Sequence, residues 1–369
     1  MPFTEPIRRS VEVEYWVVDE KGRLTAPAGL IDATVGAERE FVQPMIEIKT
    51  SPCRTHAELR KELLDRLWAV VERADKLGLR LVPLATPLAV ADDIDDRPSE
   101  RTRIQDRIIG ENFEYVRHCA GTHIHVEKQP GHVLDQFNTL VALDPALALV
   151  NSSRHDPGEP LCWGARSQLY RRLAYADLPN QGTLWPYLHE QGTWERRITR
   201  CYDQLVDKAV AAGYDRHTVE STFEPETAVW TPVQLREEFP TVEWRSPDTG
   251  LPSQLLQLVA DVVGTVEHLA DATVTVGETA GSLTDETVAL PEFDAVCEHV
   301  DAAISDGLTD ESLRQYLERM GFDTAAYTPL ATELPDARIS VAEARDLRLT
   351  YADRLEHDIR RTRGGVLNA

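Results

Sequence analysis

The stretch at residues 10–19, Ser-Val-Glu-Val-Glu-Tyr-Trp-Val-Val-Asp, constrains this chain most. Its β-branched and aromatic residues make it a strand, and a strand has two faces. Alternate side chains share a face, so Glu12 and Glu14 project together while Val11, Val13 and Tyr15 take the other side. A single pair of this kind is ordinarily a solvated edge. Three later segments repeat the pattern, each setting a carboxylate or an imidazole inside an apolar, strand-like run. Carboxylates gathered on one sheet face repel unless cations sit among them. The four segments together predict a metal-loaded sheet.

The second segment spans residues 38–50, where Glu40 and Glu47 stand seven apart. A turn of helix followed by a strand would bring both to one place, with Pro44 marking the change. The third is Gly121-Thr122-His123-Ile124-His125-Val126-Glu127, with His123, His125 and Glu127 on one strand face. The fourth, Thr241-Val242-Glu243-Trp244-Arg245, puts Glu243 and Arg245 on one face. Between them lies the clearest helix, at 55–77. Thr55 and Glu58 form its capping box, Leu59, Leu63, Leu67, Val70 and Val71 its apolar stripe, and Gly78 its stop. Residues 79–84 read as a buried strand and 91–100, with an Asp cluster, as an exposed loop. Residues 193–212, 252–272 and 340–363 read as helices, the last capped by Ser340 and Glu343, ended by Gly364-Gly365, and carrying a solvated charged face. Residues 277–291 and 321–336 read as loops. The expected architecture is one α+β domain over 1–369, with 280–369 a mainly helical C-terminal part.

Charge bounds the partners. The net charge is -23, from 62 acidic against 39 basic residues, and Lys occurs only at 21, 49, 61, 76, 128 and 208. Dense carboxylates with few lysines fit a very salty cytosol, where repulsion is screened. No basic stripe is present to hold nucleic acid. The five scattered cysteines fit reduced thiols, and no apolar run approaches the ~20 residues of a membrane helix, so a cytoplasmic protein is expected. No GxxxxGK[ST] loop occurs, which excludes a P-loop as the source of ATP binding.

The ordered set (Glu-x-Glu, the Glu40 and Glu47 pair, Gly-x-His-x-His and Thr-Val-Glu-x-Arg) resembles the second, carboxylate–amine ligase branch of the glutamate–cysteine ligase family. Ser99-Glu100-Arg101-Thr102-Arg103, Asn151-Ser152-Ser153 and Gly164-Ala165-Arg166 are similar to further family segments. The resemblance implies a glutamine-synthetase-like fold, a curved and largely antiparallel sheet forming a funnel with helices on its outer face. It implies ATP as co-substrate and two or three Mg²⁺ held by Glu12, Glu14, Glu40, Glu47, His123 and Glu243. It further implies that Arg245 and Glu243 serve catalysis and that Arg166 receives the substrate's α-carboxylate, with His125 also facing substrate. The implied reaction joins glutamate to cysteine through an acyl phosphate.

The sequence departs from the family at four places. Gln234-Leu235 follows Trp230 where the family carries Arg-Pro, Glu127 and Pro240 each replace a Gly, and no Asn-x-Trp-x-Ala-x-Arg-x-Gly segment follows residue 270. Arg236, one alternation beyond Gln234, is the expected substitute for the missing positive charge. Two other readings stay open: a weakened homologue that binds nucleotide or amino acid without turnover, and a metallohydrolase built on His123 and His125.

Overall fold

A computed structural model describes residues 6–91, 94–178, 180–277 and 280–364. Asp92 and Asp93 of the acidic loop, and Gly365 of the C-terminal stop, lie outside them. The opening strand, β1 (Arg9–Asp19), sits at the middle of a seven-stranded sheet. The others are β2 (Ala37–Arg39), β3 (Met45–Lys49), β4 (Leu79–Val82), β5 (Thr122–Glu127), β6 (Val233–Leu235) and β7 (Thr241–Trp244). Their order is β2-β3-β1-β5-β7-β6, β4 pairs with the last third of β1, and every pairing is antiparallel.

Register decides what the sheet carries. Glu14 lies opposite Glu47 and Glu12 opposite Lys49 on one side, while Glu12 lies opposite His123 on the other. His125 faces Glu243, which faces Gln234. Because strand side chains alternate, one face therefore collects the polar residues and the other collects Val11, Val13, Tyr15, Ile46, Ile48, Ile124, Val126 and Val242. These apolar residues are buried in the main core against the helices His56–Leu77, Val133–Ala142 and Pro252–His268.

The helix His56–Leu77 forms as its sequence predicts. Glu58 N–H donates to Thr55 Oγ1 at 3.1 Å, Thr55 N–H donates to Glu58 at 3.2 Å, and Gly78 adopts the left-handed conformation (φ 67°) that closes the last turn. The helix Val341–Gly364 is likewise capped by Ser340 and Glu343. Its charged residues are not all solvated, however. Arg348 is buried and donates to the carbonyls of Ala344 and Ala89, and buried Asp358 accepts from Ser253 N–H and Oγ. Charge on a helix is normally solvent-facing, but here backbone and hydroxyl partners satisfy it inside.

Two further expectations are corrected. No helical turn joins Glu40 to Glu47: β2 and β3 pair antiparallel, with Ala37 opposite Ile48, and Pro44 sits in the connecting turn. Residues 277–291 are not a plain loop, since β9 (Ser282–Leu283) and β10 (Thr287–Leu290) join β8 (Thr273–Val276) in a second sheet. The segment 321–336 holds short 3-10 turns at Thr324–Ala326 and Leu330–Glu333. No single helix among the described residues is long and apolar enough to cross a membrane; the most apolar pair, Val133–Ala142 with Asp144–Val150, is mostly buried.

Candidate active site

The polar face of the sheet lines a cavity of about 330 Å³. Two groups of side chains meet there. Glu12, His123 and Glu243 each offer one ligand atom, all within 4.8 Å of one another, and Glu14, Glu40 and Glu47 do the same. The six residues expected to hold metal thus fall into two trios that share β1, one completed from β5 and β7, the other from β3 and from Glu40 just past the end of β2. Each trio fits a hard divalent cation such as Mg²⁺, which takes carboxylate oxygens readily and a minority nitrogen ligand.

The trios differ in how the fold balances them. His123 Nδ1 lies 3.2 Å from Glu12 and 3.5 Å from Glu243, and His125 Nε2 lies 3.7 Å from Glu12 and 3.8 Å from Glu243. Burial alone would raise the Glu12 carboxyl, but the hydrogen bond with His123 and the closeness of the His125 ring outweigh it and hold the group below the usual carboxylate range. Glu243 is also buried and also held low, in its case by Arg245, His125, His123 and Arg236. The second trio has less cover. Burial and the neighbouring Glu14 push Glu40 up to about 8, and burial with Glu40 and Glu12 pushes Glu47 well above its ordinary value.

Five arginines line the cavity, Arg101, Arg117, Arg166, Arg236 and Arg245. Arg245 Nε lies 3.2 Å from Glu243, and its Nη1 donates to Gln234 Oε1 at 3.0 Å. Its chain neighbours are anchored from behind: Trp244 Nε1 donates to buried Asp144 at 2.8 Å, and Ser246 Oγ bonds the same carboxylate. Arg236 points into the cavity, 3.7 Å from both Glu243 and Glu226. The position where a family arginine is missing, Gln234, is fully buried and donates to Glu226 O at 2.6 Å. Arg166 is buried, donates to the carbonyls of Arg245 and Ser246 at 3.2 and 3.1 Å, and lies over the Tyr170 ring. Gly121 makes room for it, since a Cβ there would stand 2.2 Å from the guanidinium. Arg101 bonds Thr227 at the same cavity.

Buried Arg236 Nε, Arg245 Nε, His125 Nε2 and Glu243 Oε2 have no hydrogen-bond partner among the described residues. Orphaned polar atoms facing one cavity are the mark of a ligand site. Lys49, Arg101 and Tyr170 line the cavity without having been assigned a role from sequence. The signal for Lys49 was its place two residues after Glu47, on the same strand face; Arg101 lay inside a matched family segment. Glu127, on the face of His123 and His125, stays at the rim, where it takes Arg8 Nε at 2.8 Å.

Residues 10–346 match the family model described as glutamate-cysteine ligase family 2. By class the molecule is an ATP-dependent carbon–nitrogen ligase. The chain belongs to glutamate-cysteine ligase family 2. A Corynebacterium glutamicum protein provisionally named glutamate–cysteine ligase 2 is 30% identical over 345 residues, which cover 89% of this chain and 84% of the relative. Among solved structures, glutamate–cysteine ligase from Francisella tularensis in complex with AMP superposes with a TM-score of 0.62 at 11% identity, covering 100% of this chain and 93% of that one. A bifunctional glutathione synthetase from Pasteurella multocida gives 0.52 at 14% identity, covering 98% of this chain and 51% of that one, so this chain spans about half its length. These likenesses fix the fold as the glutamine-synthetase-like curved sheet with helices on its outer face. Family membership implies ATP and a divalent metal, and small-molecule substrates.

Proposed function

We propose that the protein uses ATP to activate glutamate as a γ-glutamyl phosphate and couples it to cysteine, forming γ-glutamylcysteine. The observation that carries this reading is the meeting, in one cavity, of two metal-competent trios with Arg236, Arg245 and Arg166. A carboxylate oxygen attacks the γ-phosphorus and ADP leaves; the amine then attacks the acyl carbon, phosphate departs with the bonding pair, and the amine loses a proton. Such transfers need positioning and charge neutralisation more than covalent help from the protein. Divalent cations held by Glu12, Glu14, Glu40, Glu47, His123 and Glu243 would neutralise the phosphates and carboxylate oxygens. Arg245 and Arg236 face the transferring phosphate, with Glu243 between them holding both in place. Arg166 presents a fixed fork to the α-carboxylate, and His125 orients substrate beside it.

Arg236 supports turnover over the binding-only reading, because it supplies a positive charge where Gln234 supplies none. The metallohydrolase reading has less support: Glu12, rather than His125, completes the trio with His123 and Glu243. The acidic composition and unpaired cysteines support a cytoplasmic protein working at high salt. The test is incubation with ATP, Mg²⁺ and an amino-acid panel in high salt, with ADP and products read by mass spectrometry. ADP and γ-glutamylcysteine are expected together, only with both amino acids. ADP with a different amide corrects the substrates, and absence of ADP release overturns the reading. Arg236→Ala is expected to cut the rate about 100-fold, as loss of a phosphate-facing arginine does.

A further inference from the structure

The two trios are separated by a residue that is neither acid nor metal ligand. Lys49 is the one lysine lining the cavity among the described residues, in a chain with few lysines. Register puts it opposite Glu12, and strand alternation puts it on the face of Glu47. Its Nζ lies 2.9 Å from Glu47, 3.1 Å from Glu38 and 3.7 Å from Glu12. It therefore bridges one trio, through Glu12, and the other, through Glu47.

We infer that the site takes two divalent cations and that Lys49 is a permanent third cation between them, a positioning residue that occupies the place a third metal would need. This inference rests on reading the trios as metal sites in the proposed function. A third ion between the trios would have to draw on Glu12 and Glu47, the carboxylates that already share the Lys49 ammonium. Charge gives the same answer. The trios contain five carboxylates and two divalent cations supply four positive charges, and Lys49, shared with Glu38 at the rim, supplies the remaining one in part. Arg236 and Arg245 are then left to answer the charge of the nucleotide. A lysine suits this place because its charge is compact and tethered, so it is present before any metal binds and is not lost on dilution.

Bound Mn²⁺ is counted by equilibrium dialysis and electron paramagnetic resonance on the full chain without nucleotide. Wild type is expected to hold two ions and Lys49→Arg two, whereas Lys49→Met opens the gap and holds a third. Any wild-type count other than two overturns the inference, as does a Lys49→Met protein that binds two ions with unchanged affinity. Thermal unfolding shows whether Lys49→Met is folded; if it is not, Lys49→Gln is counted in its place, and a folded Lys49→Gln protein that holds two ions with unchanged affinity overturns the inference. Amide synthesis is scored separately. Two bound ions without product would remove the substrate reading and leave Lys49 in its role, and product from an enzyme holding three ions would do the reverse.

Discussion

The two trios sit side by side on one sheet face and share β1, yet the fold treats them oppositely. Glu12 and Glu243 are surrounded by His123, His125, Arg236 and Arg245, and both carboxyls are held low despite burial. Glu14, Glu40 and Glu47 have Lys49 at one side and chiefly one another at the rest, and Glu40 and Glu47 are pushed up. The first trio is thus held ionised by the protein before its cation binds, and the second ionises only as its cation arrives. Removing a partner from a balanced buried group leaves a stranded charge, whereas removing a charge from a self-repelling group relieves it.

That contrast is broken or sharpened most directly by two glutamines. Glu243→Gln deletes the counter-charge of Arg236 and Arg245 along with a ligand oxygen. ATP turnover is expected to fall about 1,000-fold or more with the fold retained, as when a preorganised charge at a phosphoryl-transfer site is lost. In cation-free protein its melting temperature should also fall. Glu47→Gln should cost turnover as well, yet raise the cation-free melting temperature above about pH 8, where the trio ionises, because one repelling charge is gone. Equal melting losses in both variants would show that the trios are balanced alike.

The pH response separates the trios next. Glu40 and Glu47 have raised native values, so the native state binds more protons than the unfolded chain above the ordinary carboxylate value. Stability is then complete below about 4.5 and falls as pH rises through about 8. The expected loss is on the order of 5 kcal/mol across that window in cation-free protein, since each tenfold change in proton affinity is worth about 1.4 kcal/mol and Glu40 moves from 4.5 to about 8. Excess Mg²⁺ should flatten it, since a bound cation favours the charged form. The depressed groups Glu12 and Glu243 act in the other direction and lose stability only in strong acid. Unfolding followed from pH 5 to 9, with and without Mg²⁺, reads this; a flat cation-free profile would refute the self-repelling trio.

A smaller effect, confined to substrate, is expected at Gly121→Ala. The new Cβ would stand 2.2 Å from the Arg166 guanidinium, which must leave its carbonyl partners, while the backbone N–H of residue 121, which donates to Glu14 of the second trio at 2.6 Å, is retained by alanine. KM for the carboxylate substrate should rise about 10-fold, equivalent to about 1.4 kcal/mol, with kcat and Mn²⁺ binding near wild type. A matching drop in metal affinity would mean that Arg166 and the trios are not independent.

How much of this was legible follows from the length over which each signal acts. Strand alternation is local, so Glu12 with Glu14, His123 with His125, and Glu243 with Arg245 could be placed on shared faces from the chain alone. The join between Glu40 and Glu47 could not. Ala37–Arg39 is a strand of three residues whose identity depends on its partner β3, and nothing within it distinguishes strand from helical turn. The same holds for Ser282–Leu283 and Thr287–Leu290, too short to show a period and formed only by pairing. The burial of Arg348 and Asp358 was hidden for the converse reason, since their partners lie on distant segments. Lys49 was visible as a rare residue, but its bridging of two trios is a property of register with β1.

The smallest effect belongs to Glu127, and it tests whether a shared face is enough to make a ligand. Glu127 continues the alternation of His123 and His125 on β5, so by pattern it is as good a candidate as either. Its position is opposite Thr241 at the strand end, beyond the row that carries Glu12 and Glu243. There Arg8 claims it, donating from Nε at 2.8 Å and from the backbone at 3.1 Å, with the Arg8 side chain 52% exposed. An exposed pair of this kind contributes under about 1 kcal/mol and is screened by salt. Glu127→Gln should therefore leave Mn²⁺ stoichiometry and turnover within about 2-fold of wild type, and its melting temperature should converge with wild type as salt rises. If Glu127→Gln instead loses a bound Mn²⁺, the boundary of the balanced trio lies further along β5 than Glu12, His123 and Glu243 define it.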